Sequence, residues 1–344
     1  MSNRPPLILV FGLPRSGTTW LGKIFDSHPD TLYRHEPDNY PRLEALPRFP
    51  SLHDADTYAD FVGNFVSDLA RRNDVTVAAK MPIFPKVWRG PIRQRLLQGA
   101  ALAAKVGVRA GVNLPVLGAR GDRIAPAPTI VWKSIESTGR FGLLMRVLPE
   151  ARGIHLLRHP CGQINSVLRG ERQGEFQDNS PTSEFFNLFR LLLETSQARR
   201  HGLSMKGLRR MRPEERLAWS WVITNEKAVE EAKESGRSRV VCYEDLCANP
   251  LAESRRLFDF AGLDWNAQTA RFVRRSTDAD AAAYYSVFKN PTHSVSRWRE
   301  ELPADSACRI LAILQSSFLA EFYDESTPAG PGNQPLPETR SSGC

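Results

Sequence analysis

The stretch Leu7-Ile-Leu-Val-Phe-Gly-Leu-Pro-Arg-Ser-Gly-Thr-Thr-Trp20 decides the fold. The apolar run Leu7 to Phe11 reads as a strand buried on both faces of a parallel sheet. Gly12 to Gly17 turns the chain. From Thr18 the apolar residues Trp20, Leu21, Ile24 and Phe25 have helical spacing, and His28-Pro29 stops the helix. A strand, a glycine-containing loop and a helix N-terminus make an anion site, because free backbone N–H groups converge where the helix dipole favours negative charge. Gly12-x-x-x-x-Gly17 has the spacing of a phosphate-binding loop, but Thr18 stands where a kinase or ATPase has its Lys. Arg15 supplies a cation from within the loop instead. The plain alternative is a glycine turn in an ordinary strand–helix unit.

Bulk composition agrees with an anionic ligand. The chain has 344 residues, 41% hydrophobic and 24% charged, which is ordinary for a soluble globular protein with a sizeable core. Net charge is +8, carried mainly by Arg, whose guanidinium binds phosphate and sulfate bidentately. An Arg-favouring genome explains that excess equally well. There is no dense basic run interleaved with aromatics, which argues against nucleic acid. The five cysteines (Cys161, Cys242, Cys247, Cys308, Cys344) are odd in number and lack metal-like or disulfide-like spacing, so a reducing compartment is expected. No signal peptide is read at the N-terminus. No apolar run reaches the roughly 18–20 residues that cross a bilayer. A soluble, cytoplasmic protein without a transmembrane segment is the expectation.

Along the chain, Thr31 to Asp38 leaves the first helix in extended form, and 42–60 reads as loop with short helix. Tyr58 to Arg72 reads as an amphipathic helix, Val75 to Ala79 as a short strand and Gln94 to Val106 as a basic helix. The segment 85–128 is basic and partly apolar. It reads as a packed surface helix with turns, with peripheral membrane contact as the other option. Pro128 to Lys133 and Gly153 to Leu157 read as strands joined by a helix at about Gly139–Leu148, a βαβ unit that implies a parallel sheet. Gln163 to Leu168 begins the next helix. Helices are expected at Phe185–Leu193, Pro213–Glu234, Pro250–Ala261 (ended by Gly262) and Trp265–Arg275, a strand at Arg239–Tyr243, a loop over 280–296, and a final helix at Ala304–Tyr323. Residues 326–344, with several Pro and Ser, read as a disordered tail.

A second anion site is expected at Arg158 and Ser166. Arg158 follows a strand, at the edge where open α/β sheets bind ligands, and Ser166 lies about one turn into the next helix. Alone, the pair reads equally as a surface salt bridge. Joined to the first loop, two phosphate sites on one sheet suit a ligand phosphorylated at both ends of a ribose.

At this point a family resemblance emerges. Gly12-Leu-Pro-Arg-Ser-Gly-Thr-Thr-Trp20 resembles the 5′-phosphosulfate loop of sulfotransferases that use 3′-phosphoadenosine 5′-phosphosulfate (PAPS). Leu156-Leu-Arg-His-Pro160 through Ser166 resembles their 3′-phosphate motif. Val241-Cys-Tyr-Glu-Asp-Leu246, Asn249-Pro250 and Leu257-Phe-Asp-Phe-Ala-Gly262 resemble a later block of the same family. Arg275-Ser-Thr-Asp278 and Ser296-Arg-Trp298 resemble the closing segment of its carbohydrate and tyrosylprotein branches. The resemblance covers about residues 7–38 and 128–320 and fades over 39–127 and 171–212, where acceptor loops are expected. It implies an α/β, P-loop-like three-layer fold with a central parallel sheet flanked by helices, in a single domain over 1–325.

The resemblance also assigns roles. Arg15, Ser16, Gly17, Thr18 and Thr19 are expected to bind the 5′-phosphosulfate, Trp20 and Tyr243 to line the adenine, and Arg158, Ser166, Ser276 and Arg297 to contact the 3′-phosphate. Trp20 also reads as a core residue. Glu36, just beyond the loop and its helix, resembles the general base of the carbohydrate and tyrosylprotein branches. The cytosolic small-molecule branch uses a His near the strand that here reads Trp132-Lys-Ser-Ile135, without one. His35 is the local rival base and otherwise a plain surface His; for Glu36 the alternative is a surface salt bridge. Lys133 and Arg15 are expected to balance charge on the sulfuryl oxygens. No metal is expected, since Asp26, Asp30 and Asp38 have no ligand-like pairing. The acceptor is read as a hydroxyl, first on a carbohydrate or glycan; a tyrosine or other phenol, a lipid-linked glycan and a small metabolite are the alternatives. A small-molecule kinase predicts the missing Lys and a magnesium-binding Asp after a neighbouring strand, and neither Ile154–Leu157 nor Val240–Cys242 ends in one. A non-catalytic nucleotide binder predicts binding without transfer.

Overall fold

The computed structural model describes residues 6–39, 43–109, 115–116, 119–120, 126–174, 181–277 and 291–323. The tail at 326–344, Asp278, the 280–290 part of the expected loop and several stretches of 110–125 lie outside them.

The chain runs β1 (Leu7–Phe11), α1 (Thr18–Asp26), β2 (Thr31–His35), α2 (Ala55–Asp68), α3 (Pro91–Arg109), β3 (Thr129–Ser134), α4 (Phe141–Val147), β4 (Arg152–Leu157), α5 (Pro160–Arg172), α6 (Phe186–Leu193), α7 (Pro213–Lys233), β5 (Ser238–Cys242), α8 (Tyr243–Ala248), α9 (Pro250–Ala261), α10 (Ala267–Thr277), α11 (Pro291–Ser296) and α12 (Ala304–Gln315). The five strands form one parallel sheet in the order β2-β3-β1-β4-β5. Every residue of β1 is buried, as befits the central strand.

Strand alternation separates two cores. Leu7, Leu9 and Phe11 join Ile130 and Trp132 under α2 and α4, while Ile8 and Val10 join Val131, Ile154 and Leu156 under α1, α8 and α9. Helices therefore cover both faces, giving the three-layer arrangement. Edge strand β2 pairs only with β3. It is pinned by Arg34, a buried guanidinium whose hydrogen bonds run to the carbonyls of Leu69, Ala70 and Ala119.

Several local expectations are corrected. Val75–Ala79 is not a strand: Val75–Ala78 make a helical turn, with the Val77 and Ala78 N–H groups bonded back to Asp74, because Val75 packs with Leu97 and Ala101 of α3. The βαβ reading of β3 and β4 holds, in that both strands lie parallel in one sheet, on either side of β1, so their connection crosses over it. Tyr243 opens α8 rather than closing β5, and α5 starts at Pro160, which places Ser166 in its second turn. Residues 291–296 are helical, not loop. The last helix ends at Gln315, where Ser317 N–H bonds to Leu314, and a tighter 3₁₀ segment, Phe318–Tyr323, follows.

Cys161, Cys242 and Cys247 are buried free thiols, but Cys308 is disulfide-bonded, against the reading that the cysteines lack disulfide-like spacing. Among the described residues no helix is long and apolar enough to cross a membrane.

Candidate active site

The carboxyl ends of the central strands open into a cavity of about 1370 Å³. Its floor is the loop after β1. Gly12 is packed so closely that a Cβ there would stand 2.5 Å from the Leu156 carbonyl oxygen and 2.8 Å from Ser16 Oγ. Arg15 and Gly17 both take left-handed backbone, φ 69° and 99°, and Ser16 N–H closes the turn onto Leu13 O at 3.1 Å. Gly17 is the N-cap of α1 and no side chain caps it, so the first-turn N–H groups face the cavity end of the helix. A Cβ on Gly17 would also collide with the Tyr243 ring at 2.5 Å.

The two anion sites anticipated from the sequence are physically joined. Arg15 Nε donates to Ser166 Oγ at 3.1 Å, and Arg158 Nη1 donates to the Arg15 carbonyl at 2.9 Å. Arg158 Nη2 donates to Ser294 O on α11 at 2.6 Å, and its guanidinium lies 4.8 Å from the centroid of Tyr243. Trp20 meets Tyr243 edge-on, with ring centroids 6.3 Å apart. Arg15, Thr18, Thr19, Trp20, Arg158, Ser166, Tyr243 and Arg297 all line the cavity. Ser16 sits beneath the loop, fully buried. Ser276 is 1% exposed and accepts from Trp20 Nε1 at 2.9 Å, so it stands behind Trp20 rather than on the cavity wall.

The second cluster sits at the ends of β2 and β3. The register pairs His35 with Lys133, which puts Glu36 one residue beyond, beside the Lys133 side chain. Glu36 has left-handed backbone, φ 48°, and its N–H donates to Lys133 O at 2.7 Å. Its carboxylate pairs with Lys133 Nζ; Lys133 is 1% exposed and Glu36 19%. His35 is not a plain surface His: its side chain is 12% exposed, Nδ1 is hydrogen-bonded to Tyr33 Oη at 2.9 Å, and Nε2 is 3.7 Å from Glu36. Burial, then the charges of Lys133, Lys80 and Lys23, hold its pKa well below 6.5. His35 is therefore a neutral neighbour of Glu36 at pH 7.

Polar braces fix the rim. Gln163 Nε2 donates to Pro14 O at 2.8 Å, and Trp221 Nε1 of α7 donates to both Gln163 Oε1 and Arg158 O at 3.1 Å. Glu244 accepts from the His159 N–H at 3.0 Å; burial raises its carboxyl to about 7, although Arg158 and that N–H pull the other way.

Other cavity residues come from the segments the sequence left as acceptor-side. Lys80 is one, and Arg48, paired with Glu136 at 2.6 Å, is another. Phe185, Leu188 and Leu191 are the others that matter here. Their three-residue spacing was a readable signal of one helix face; the basic residues were not distinguishable from solvated surface.

The residues present suit a doubly anionic nucleotide. Among the described residues, Ser16 Oγ and Arg158 Nε are buried polar atoms without a hydrogen-bond partner, and both lie at the loop that glycine keeps open. The chain matches the sulfotransferase family over residues 6–267 and belongs to that family. Rat carbohydrate sulfotransferase 1 is 22% identical over 352 residues, covering 92% of this chain and 77% of the relative. The human enzyme of the same name is 22% identical over 347 residues with the same coverage. Mouse carbohydrate sulfotransferase 3 is 33% identical over a shorter stretch of 70 residues, 20% of this chain and 15% of the relative. Among solved structures, mouse sulfotransferase SULT7A1 complexed with PAP aligns over 92% of this chain and 85% of its own, with 14% identity and a TM-score of 0.44. The protein is accordingly a PAPS-dependent sulfotransferase, and the kinase alternative falls away.

Proposed function

We propose that this enzyme sulfates a carbohydrate hydroxyl and that Glu36 is the base. Transfer joins the acceptor oxygen to sulfur, breaks the sulfur–oxygen bond to the 5′-phosphate of PAPS, and leaves one acceptor proton to be taken up. The observation that carries the reading is the Glu36–Lys133 pair at the ends of neighbouring strands, both lining the cavity that holds the Arg15 loop. Glu36 takes the proton, and Lys133, already beside it, offsets charge on the sulfuryl oxygens. General-base help of this kind is worth about 10²–10⁴-fold in rate. Arg15 stays protonated at neutral pH, so its help to the leaving phosphate is electrostatic and by hydrogen bonding.

In this reading Arg15, Ser16, Gly17, Thr18 and Thr19 hold the 5′-phosphosulfate. Trp20 and Tyr243 bound the adenine, and Arg158, Ser166 and Arg297 take the 3′-phosphate. Ser276 acts on Trp20, through its hydrogen bond, rather than on the nucleotide. The same reading takes 1–325 as one catalytic domain. The choice of a sugar is supported by the carbohydrate sulfotransferases among the relatives and by a Glu, rather than a His, beside the transfer position.

The experiment is transfer of labelled sulfate from PAPS to a panel of glycans and phenols, read by mass spectrometry. Sulfated glycans from the parent enzyme support the reading. Sulfated phenols with untouched glycans overturn the sugar assignment.

A further inference from the structure

One wall of the cavity, drawn from residues 182–191, sets apolar side chains among the polar Thr182, Glu184 and Asn187. Helix α6 and its N-cap residue Phe185 carry apolar side chains in two directions. Phe189 and Leu192 turn into the core, at 1% and 0% exposure. Phe185, Leu188 and Leu191, spaced i, i+3, i+6, line the cavity instead, and Leu191 is 40% exposed. Phe186, between the two, is fixed by the guanidiniums of Arg209 and Arg216, each 5.6 Å from its centroid. Phe49 and Ile135 line the same cavity from other elements. At about 1370 Å³ the cavity exceeds the roughly 300–1,000 Å³ of a typical small-molecule site, so the donor leaves room for a second molecule. A bare sugar carries hydroxyls on every side. Thr182, Glu184 and Asn187 offer that wall some partners, but hydroxyls set against Phe185, Leu188 and Leu191 themselves would lose water and gain none from these three, which is unfavourable.

We infer that the acceptor is an amphiphilic glycoside: a sugar whose hydroxyl reaches Glu36 and whose alkyl or aryl aglycone lies along the Phe185–Leu188–Leu191 stripe. This rests on the sugar-hydroxyl reading above and adds the apolar half of the substrate. The stripe sets which glycosides bind, and Glu36 sets what happens to them. The apolar contact is made equally before and during transfer, so it acts on KM rather than on kcat.

The test uses methyl, butyl, hexyl and octyl glucosides with the full-length enzyme. Calorimetry in the presence of 3′-phosphoadenosine 5′-phosphate gives glucoside binding independently of turnover. Affinity is expected to rise by up to about fourfold for each methylene that the stripe covers, from the burial of apolar surface. The variants Leu191→Gln and Leu188→Gln are expected to flatten that rise at least about tenfold for the octyl glucoside, while leaving nucleotide binding unchanged. Equal affinity for methyl and octyl glucosides overturns the inference, and so does a chain-length rise that both variants keep. If nucleotide binds and no glucoside does, the amphiphile inference also fails. Binding that grows with chain length but yields no sulfated sugar supports the apolar subsite and instead overturns the sugar-hydroxyl assignment.

Discussion

Glu36→Gln separates chemistry from architecture. The substitution keeps the side chain's length and an Oε1 acceptor for Lys133, and removes only the charge. Breaking a fully buried ion pair costs about 3–5 kcal/mol, whereas an exposed pair is worth about 0–1 kcal/mol. Lys133 is 1% exposed and Glu36 19%, and the amide still accepts, so a loss on the order of 1 kcal/mol is expected for Glu36→Gln. For a chain this long that lowers Tm by about 1–2 °C. Glu36→Ala leaves the buried ammonium without this partner and is expected to cost more, about 2–3 kcal/mol. Turnover should behave differently. Both variants lack the base, so both should fall by about 10²–10⁴-fold, which corresponds to about 2.7–5.4 kcal/mol of barrier. Neither should change nucleotide affinity, because Glu36 is not part of the Arg15–Arg158 cluster. Single-turnover transfer from labelled PAPS, calorimetry with 3′-phosphoadenosine 5′-phosphate and thermal melts measure the three quantities. Glu36→Gln turnover within threefold of the parent, with nucleotide affinity intact, would remove Glu36 from the base role.

Arg158→Ala removes hydrogen bonds to Arg15 O and Ser294 O and the cation over Tyr243, and should weaken nucleotide binding by at least about tenfold in calorimetry; an unchanged dissociation constant contradicts the assignment. Gly17→Ala forces a side chain into φ 99° and against Tyr243, so urea unfolding should show a loss of about 1–3 kcal/mol, and an unmoved midpoint would count against the described loop. His155 is fully buried on Asn225, and burial lowers its pKa to about 4; burial likewise lowers His159 to about 3. Their folded values lie below the unfolded value near 6.5, so their contribution to stability is intact above that pH and is lost as pH falls toward the folded values. Melting temperature should therefore drop between pH 7 and 4, with a shallower slope in His155→Gln; parallel slopes for the two proteins refute the attribution.

The loop proposed to hold the donor was legible as a backbone turn because it is local. Gly12, Arg15 and Gly17 lie within six positions, and their spacing after an all-apolar strand admits few backbone paths. Arg158 and Ser166 were legible for the same reason, although the helix start at Pro160 shifted Ser166 by a turn. The joining of the two sites was not, because Arg15 and Ser166 are 151 residues apart and meet only through the packing of β1 beside β4. Glu36 and Lys133 were each picked from a motif, yet their pairing depends on the β2–β3 register, which no local pattern encodes. Val75–Ala79 looked like strand because Val75 and Val77 are β-branched; a small separate core in which Val75 and Ala79 pack with α3 goes with the helical turn instead, tertiary packing overriding propensity. Ser276 fitted the motif, but Trp20 claimed its hydroxyl.

The proposed base follows an edge strand, while the proposed nucleotide loop follows the central one. β2 is bonded to the sheet along β3 alone, with Arg34 as its clamp on the other side, whereas β1 has a neighbour on each flank. Opening of the outermost strand requires fewer bonds to break than opening of the middle of the sheet. Hydrogen exchange should therefore be faster in β2 than in β1. In rising urea the enzyme should fall silent while it still binds 3′-phosphoadenosine 5′-phosphate, so that partial unfolding passes through a state that holds its nucleotide and has lost the means to use it.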